Sequence, residues 1–308
     1  MQLKAGDISN NNPITLEANK TLYDVRNLLI KYNISRVIIV KEKEKENKEP
    51  IGIITEKDIA RFLFRDLPRR RLGEIRIDEA IRNQNLITAK EDTDVSSCAR
   101  SMVENSISSL IITADSILRG VLTKTDLLDA YAKSYGGDVT ANEYMTKRVL
   151  TVNPDESVHM VLLIMVDSNV SRVVVVEDNK KNSKPVGIIT SHDLLPASTA
   201  LHANKTTPYT RYWMKSKDIQ NNKMKDNATD IVGSSRRSNL PYGMKRILLA
   251  EDIMKFNLII VTDYADLVDV ALIMKGNRIS GLPVVDSNDK LVGIITKTDI
   301  ARAIVDGK

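Results

Sequence analysis

Gly52-Ile-Ile-Thr-Glu-Lys-Asp58 recurs three more times along the chain, as Gly120-Val-Leu-Thr-Lys-Thr-Asp126, Gly187-Ile-Ile-Thr-Ser-His-Asp193 and Gly293-Ile-Ile-Thr-Lys-Thr-Asp299. A unit repeated at this scale sets the architecture, because each copy must bury its apolar faces against its neighbours. Upstream of each ending, the four copies stay in step without gaps over a stretch that starts before a strand and runs through a helix. Thr15, Thr88, Thr151 and Ile260 are equivalent, and Ser35, Ser108, Ser171 and Ser280 follow twenty residues later.

Between those positions stand Thr21, Asp94, Ser157 and Asp266, residue types whose side-chain oxygen accepts a hydrogen bond from a free amide at a helix start. The spacing beyond them predicts helices. Val95, Cys98, Ala99 and Met102 fall at i, i+3, i+4 and i+7, as do Val158, Val161, Leu162 and Met165, and Leu267, Val270, Ala271 and Met274. Copy one has Leu22, Val25 and Leu29 but Arg26 at the fourth place, which narrows its apolar stripe. After the aligned Ser, the runs Val37 to Val40, Leu110 to Ile112, Val173 to Val176 and Leu282 to Val285 are β-branched-rich and continuous, as in strands covered on both faces. A polar loop, the Gly-Ile-Ile strand and a second helix complete each copy. The charged run Lys41 to Glu49 reads as a solvated hairpin loop.

With the ending Gly-Ile-Ile-Thr-x-x-Asp, Gly-Val-Leu-Thr-x-x-Asp in copy two, four times over, Ser-Arg before the strand in copies one and three, and Gly281-Leu-Pro-Val-Val-Asp286 in copy four, the chain resembles proteins built of cystathionine-β-synthase-type (CBS) domains. The resemblance implies an α/β (α+β) fold of four β-α-β-β-α repeats packed as two pseudo-symmetric pairs. The repeats span 1–66, 75–135, 137–197 and 248–308. Copies one and three share Ser-Arg and long loops ending at Pro50 and Pro185, whereas two and four share Thr-Lys-Thr-Asp. Duplication of a pair explains that alternation, giving expected modules at 1–135 and 136–308, the second interrupted by an insertion at 198–247.

CBS pairs commonly bind adenine nucleotides, so the resemblance implies AMP, ADP or ATP as ligands of this chain. The family's Asp holds ribose hydroxyls and its Thr lies near phosphate, which carries over to Thr55 with Asp58, Thr123 with Asp126, Thr190 with Asp193 and Thr296 with Asp299. Arg36 and Arg172, each following the aligned Ser, are the expected phosphate ligands. Copies two and four have Ser109 and Gly281 there, with Lys124 and Lys297 as partial substitutes. The base is expected against the first strands, near Ile14 and Thr15, Ile87 and Thr88, Leu150 and Thr151, and Ile259 and Ile260. His192, inside the third ending, either reaches phosphate or lies exposed on the first helical turn.

Structural readings stand beside these. Thr with an acid three residues on approximates a capping box, although the same helix start, with free amides and a positive dipole end, suits phosphate. Arg36 alternatively pairs with the Glu-rich loop. Cys98, the single cysteine, sits on an apolar helical face as a small hydrophobe. His159 and His202 have no acid or Cys partner at metal-ligand spacing, so no metal is expected.

The 308 residues carry a net charge of +5. Residues 197–250 hold ten Lys and Arg against three acids, so this stretch alone is +7 and the rest is slightly acidic. It also carries Trp213, Tyr209, Tyr212 and Tyr242, a mixture suited to single-stranded nucleic acid or to a solvated connection pinned by its aromatics. Arg69, Arg70 and Arg71 read as a solvated linker. No Walker loop, nucleophile elbow or zinc motif is present, and no signal peptide or spanning segment is evident. The expected protein is a cytoplasmic, non-enzymatic regulator, homodimeric and without a membrane partner, that senses adenine nucleotides and acts on a protein partner. The rivals are a nucleic-acid-binding protein using 198–247 and a structural adaptor; S-adenosylmethionine is a further family ligand, disfavoured by Arg36 and Arg172 because it has no phosphate.

Overall fold

The computed structural model describes residues 3–42, 47–66, 70–134, 136, 138–178, 183–196 and 248–308. The basic insertion 198–247 and Arg69 lie outside them. Each repeat forms a three-stranded sheet in which a short first strand pairs parallel to the second and the second antiparallel to the third. Repeat 1 contributes β1 (Thr15–Glu17), β2 (Arg36–Glu42) and β3 (Lys48–Thr55), and repeat 2 contributes β4 (Thr88–Ala89), β5 (Ser109–Ala114) and β6 (Ile117–Thr123). Repeat 3 has β7 (Thr151–Val152), β8 (Arg172–Val176) and β9 (Pro185–Thr190), and repeat 4 has β10 (Val261–Thr262), β11 (Gly281–Val285) and β12 (Leu291–Thr296). The fold is the mixed α/β arrangement that the repeats imply. The charged run after Val40 is partly strand: Lys41 pairs with Glu49 and Glu42 with Lys48, so cross-strand charge pairing extends the hairpin.

The first helices, Leu22–Tyr32, Val95–Glu104, Val158–Asp167 and Leu267–Gly276, begin at the expected residues. Ser157 accepts from the Met160 amide at 3.2 Å and Asp266 from Val268 at 2.7 Å. Asp94 differs: its carboxylate takes the Lys4 ammonium at 2.6 Å instead of a backbone amide. Just beyond each helix a non-glycine residue turns left-handed, Asn33, Ser106, Asn169 and Arg278, with φ between 49° and 55°. That turn reverses the chain into the second strand in every copy.

Two kinds of core hold the repeats together. Sheet against sheet, Ile38 and Val40 of repeat 1 meet Ile111 and Val121 of repeat 2, while Val174 and Val176 of repeat 3 meet Leu291 and Ile294 of repeat 4. The larger clusters run the other way. Leu22, Val25 and Leu29 share a core with Val158, Val161 and Leu162, joining repeats 1 and 3, and Cys98, Ala99 and Met102 share one with Val270, Ala271 and Met274, joining 2 and 4. Arg26, which interrupts the stripe of repeat 1, directs Nε to the Leu195 carbonyl of repeat 3 at 2.9 Å. Cys98 is buried at 1% exposure and its thiol is pushed up to about 11, chiefly by burial. Among the described residues no helix is long and apolar enough to cross a membrane.

Because both helical cores cross between the two halves of the chain, the halves are expected to unfold together. Leu162→Ala, at a fully buried site, is expected to cost roughly 2–5 kcal/mol. Urea unfolding followed by circular dichroism should show one transition shifted as a whole; loss of half the signal at lower urea would contradict the shared core.

Candidate functional site

The second helix of each repeat starts from the Thr-x-x-Asp. In all four, the Thr amide and hydroxyl both donate to the same carboxylate oxygen: Thr55 to Asp58 at 2.9 and 2.7 Å, Thr123 to Asp126 at 2.7 and 2.7 Å, Thr190 to Asp193 at 2.8 and 2.6 Å, and Thr296 to Asp299 at 2.7 and 2.8 Å. The cap therefore uses Oδ2 and leaves Oδ1 for other partners. Asp58 Oδ1 meets Arg61 at 3.2 Å, Asp193 Oδ1 meets Lys255 at 3.4 Å, and Asp299 Oδ1 meets Arg302 at 2.6 Å. Capping and ligand binding are thus compatible roles for one carboxylate.

The segment that leads into each first strand does not lie beside its own Thr-x-x-Asp. Asn10 exchanges backbone hydrogen bonds with Val121, Lys255 with Ile188, and Thr146 with Ile294. In the fourth case a side chain substitutes: the Gln84 amide accepts from the Ile53 N–H at 3.0 Å and donates to its carbonyl at 2.8 Å. Each cleft consequently combines the Thr-x-x-Asp of one repeat with the first strand of its sheet partner, repeats 1 with 2 and 3 with 4. This crossing also accounts for the motif glycine. A Cβ on Gly120 would stand 2.8 Å from the Asn10 carbonyl, a backbone atom that has no room to give.

Two of these clefts open into a cavity of about 760 Å³ at the meeting point of all four repeats, within the size range of small-molecule sites. One side presents Thr55, Asp58 and Arg61 with Ile87 of repeat 2. The other presents Thr296, Thr298 and Arg302 with Leu150 of repeat 3. Of the expected site residues, Ser35, Thr55, Asp58, Ser108, Lys124, Leu150, Ser171, Arg172 and Thr296 line this space. Ile14, Thr15, Arg36, Thr88, Thr123, Asp126, Thr151, Thr190, His192, Asp193, Ile260, Ser280, Lys297 and Asp299 are not on its wall.

Arg36 and Arg172 each reach across their pair. Arg36 donates to the Ser108 carbonyl at 2.7 Å and to Ser35 Oγ at 2.8 Å, and Arg172 donates to the Ser280 carbonyl and to Ser280 Oγ at 3.1 Å. No bond joins Arg36 to the Glu-rich loop among the described residues. The two crossings differ in detail: a Cβ on Gly281 would coincide with the Arg172 guanidinium, whereas Ser109 holds the equivalent place beside Arg36. Burial lowers both arginines to about 10, with Asp126 and Glu56 opposing the shift at Arg36, and Asp299 and Glu56 at Arg172.

Contacts between the variable residues of the motif join the two pairs. Lys124 Nζ donates to Thr298 Oγ1 at 3.0 Å, and Lys297 Nζ to Thr125 Oγ1 at 2.8 Å. His192 Nδ1 lies 2.7 Å from Glu56 Oε1, and this partnership raises the imidazole above its ordinary range; its place is an inter-repeat ion pair, neither of the two expected. Burial, reinforced by neighbouring cations, lowers Lys124 and Lys297 to about 8.

Sequence reading did not single out Lys57, Arg61, Arg148 or Arg302, all on the cavity wall. Arg61 and Arg302 stand three residues after the motif Asp, on the same helical face, and that spacing was available in the sequence. Lys57 and Arg61 bond to Asn169, at 2.6 Å to its carbonyl and 2.5 Å to its side chain. That contact joins repeats 1 and 3 and has no sequence signature. In all, six cations (Lys57, Arg61, Lys124, Arg148, Arg172 and Arg302) face two carboxylates, Glu56 and Asp58, around one space. Such a wall attracts anions strongly.

The lysines make a testable contribution to stability. Their folded values of about 8 lie below the usual 10.5, so between pH 8 and 10.5 the unfolded chain holds more protons and stability rises with pH. Below pH 8 the cost of keeping them charged is fully present. Lys124→Met is therefore expected to raise the urea midpoint at pH 7, with the gap from the parent closing towards pH 10; an equal or lower midpoint at pH 7 would contradict this.

Residues 5–65, 77–133, 141–199 and 250–306 each match the CBS domain family. The chain is 27% identical over 271 residues to the uncharacterized protein MJ1225 of Methanocaldococcus jannaschii, covering 83% of each. It superposes on the crystal structure of MJ1225 with a TM-score of 0.73 at 23% identity, over 97% of this chain and 99% of that one. A conserved uncharacterized protein of Pyrococcus horikoshii gives 0.58 at 19% identity, over 98% and 100%. The inosine-5'-monophosphate dehydrogenase of Staphylococcus haemolyticus is 32% identical over 116 residues, 38% of this chain but 22% of the enzyme. Four matched segments, four sheets of one topology and reciprocal pairing give one conclusion: the chain belongs to the CBS domain family.

Proposed function

We propose that this chain is a stand-alone regulatory protein that binds adenine nucleotides in the clefts between its paired repeats and conveys their level to a protein partner. The observation that carries the reading is the cavity wall, where six cations face two carboxylates, Glu56 and Asp58, and the apolar residues Ile87 and Leu150, each just before a first strand, lie among them. A nucleotide needs three things there: an apolar slot for the base, a carboxylate for the ribose diol and cations for phosphate. Ile87 and Leu150 border the slots. Asp58 on the wall and Asp299, buried beside the wall residues Thr296 and Arg302, supply the carboxylates, each already fixed in orientation by its Thr. Modules at 1–135 and 136–308, a cytoplasmic homodimer and the absence of catalysis belong to the same proposal. The MJ1225 structure has been put forward as that of an archaeal homolog of g-AMPK, which agrees with it.

Signalling follows if nucleotide favours one arrangement of the repeats over another. The variable residues of the motif are placed for that, since Lys124, Lys297, Glu56 and His192 link one pair to the other. A phosphate drawing on Lys124 would compete with its bond to Thr298.

Titration calorimetry tests the reading. AMP is expected to bind saturably, with its 2'-deoxy form at least tenfold weaker, since a hydrogen bond to a charged group contributes about 1.5–3 kcal/mol. Asp58→Ala is expected to weaken or remove one site without unfolding the chain. No heat with AMP, ADP or ATP would contradict the proposal and move attention to the +7 segment at 197–250 and a nucleic-acid partner.

A further inference from the structure

The crossed assembly makes each cleft a combination of two repeats, and the combinations are unequal. Beyond the lysines already described, two aligned positions can offer an arginine to phosphate: the residue after the aligned Ser in the repeat that lends its first strand, and the residue three after Asp in the other. In the Asp58 cleft these are Ser109 and Arg61, and in the Asp126 cleft Arg36 and Asp129. In the Asp193 cleft they are Gly281 and Pro196, and in the Asp299 cleft Arg172 and Arg302. The last alone has arginine at both. A third position repeats the pattern: three residues before the first-strand Thr, the chain has Asn12, Asn85 and Asn257 in repeats 1, 2 and 4 but Arg148 in repeat 3.

The structure brings these arginines to one place. The 146–150 segment runs along β12, held by the Thr146–Ile294 bonds, so Arg148 and Leu150 border the cleft that Thr296 and Arg302 close from the other side. Arg172 comes from the repeat 3 strand, and Lys124 reaches Thr298 on the same wall. Arg148 is exposed and makes no hydrogen bond or ion pair among the described residues. Asp299 is fully buried, and its Oδ1 has the Arg302 guanidinium beside it but no hydrogen bond of good geometry.

Resting on the nucleotide-binding reading above, we propose that the Asp299 cleft, assembled from repeats 3 and 4, is the primary nucleotide site and the one that takes a polyphosphate chain, whereas the Asp193 cleft holds no phosphate. Arg302 acts as an exchange partner. Without nucleotide it neutralises Asp299; when a nucleotide enters, it turns to the phosphate and the ribose hydroxyls take over Oδ1. Arg172, fixed by Ser280, stays in place as a preorganised donor, and Arg148 meets the outer phosphates. Desolvated guanidinium groups bind phosphate more strongly than exposed ones.

The experiment is calorimetry of the full chain with adenosine, AMP and ADP. The tightest site is expected to gain affinity at each added phosphate. Arg148→Gln, which breaks no internal bond, should weaken ADP there at least tenfold while adenosine stays within about threefold, and Arg302→Lys should act the same way. Asp193→Asn should leave ADP binding unchanged. A tight site that ignores Arg148→Gln and Arg302→Lys but is lost with Arg61→Gln or Arg36→Gln would overturn this assignment and leave nucleotide binding standing. Equal affinity for adenosine and ADP would also overturn it. Silence with all three ligands would overturn both proposals together.

Discussion

Everything at the centre of this molecule follows from one close crossing, that of the segment entering each first strand over its partner's Gly-x-x-Thr strand. Asn10 on Val121, Lys255 on Ile188, Thr146 on Ile294 and Gln84 on Ile53 are four solutions to one requirement. An edge strand needs its hydrogen bonds met, and at Gly120 the partner segment's backbone meets them at a distance only glycine permits, while at Gly52, Gly187 and Gly293 the side chains of Ile81, Met254 and Met145 fill the space above the glycine. The crossing pairs repeat 1 with 2 and 3 with 4, and it brings the segment entering the first strand of one repeat to the Gly-x-x-Thr-x-x-Asp of the other. Clefts are therefore products of pairs. The helical cores between 1 and 3 and between 2 and 4 then fix the pairs to each other.

Closure of that ring forces like charges together. Arg36 and Arg172 are desolvated and satisfied mainly by carbonyl and hydroxyl oxygens, and Lys124 and Lys297 are held near pH 8 by burial and by cations around them. A stability-driven core would not retain such groups, since burying charge costs free energy unless a partner compensates. An anionic ligand is a partner of the right sign. Lys124 and Lys297 also bridge the pairs, so under the proposed function nucleotide and the packing of the halves draw on the same side chains.

Much of the fold was legible because its determinants are local. Helix starts at Thr21, Ser157 and Asp266, the order of strands within a repeat and the capped Thr-x-x-Asp depend on residues of the same repeat, most of them within a few positions, whereas Asp94 begins its helix with its carboxylate on the distant Lys4. The odd and even alternation was legible too, though its place in the fold was not: that the Arg172 guanidinium fills the space a Cβ on Gly281 would take involves two segments more than 100 residues apart. The site was less legible. Arg36 and Arg172 are engaged across the pair axis, His192 serves Glu56, and the wall depends on Arg61, Arg148 and Arg302, whose grouping needs the crossing of repeats. No spacing within one repeat records which partner supplies the other half of a cleft.

The most direct measurement is a crystal structure of the full chain with ADP at saturating concentration. The account predicts the base against Leu150 of repeat 3, the ribose on Asp299 of repeat 4 and the phosphates between Arg172 and Arg302 in the central cavity. Nucleotide found with its base and ribose on strand and Asp of the same repeat, or bound outside the cavity altogether, would contradict it.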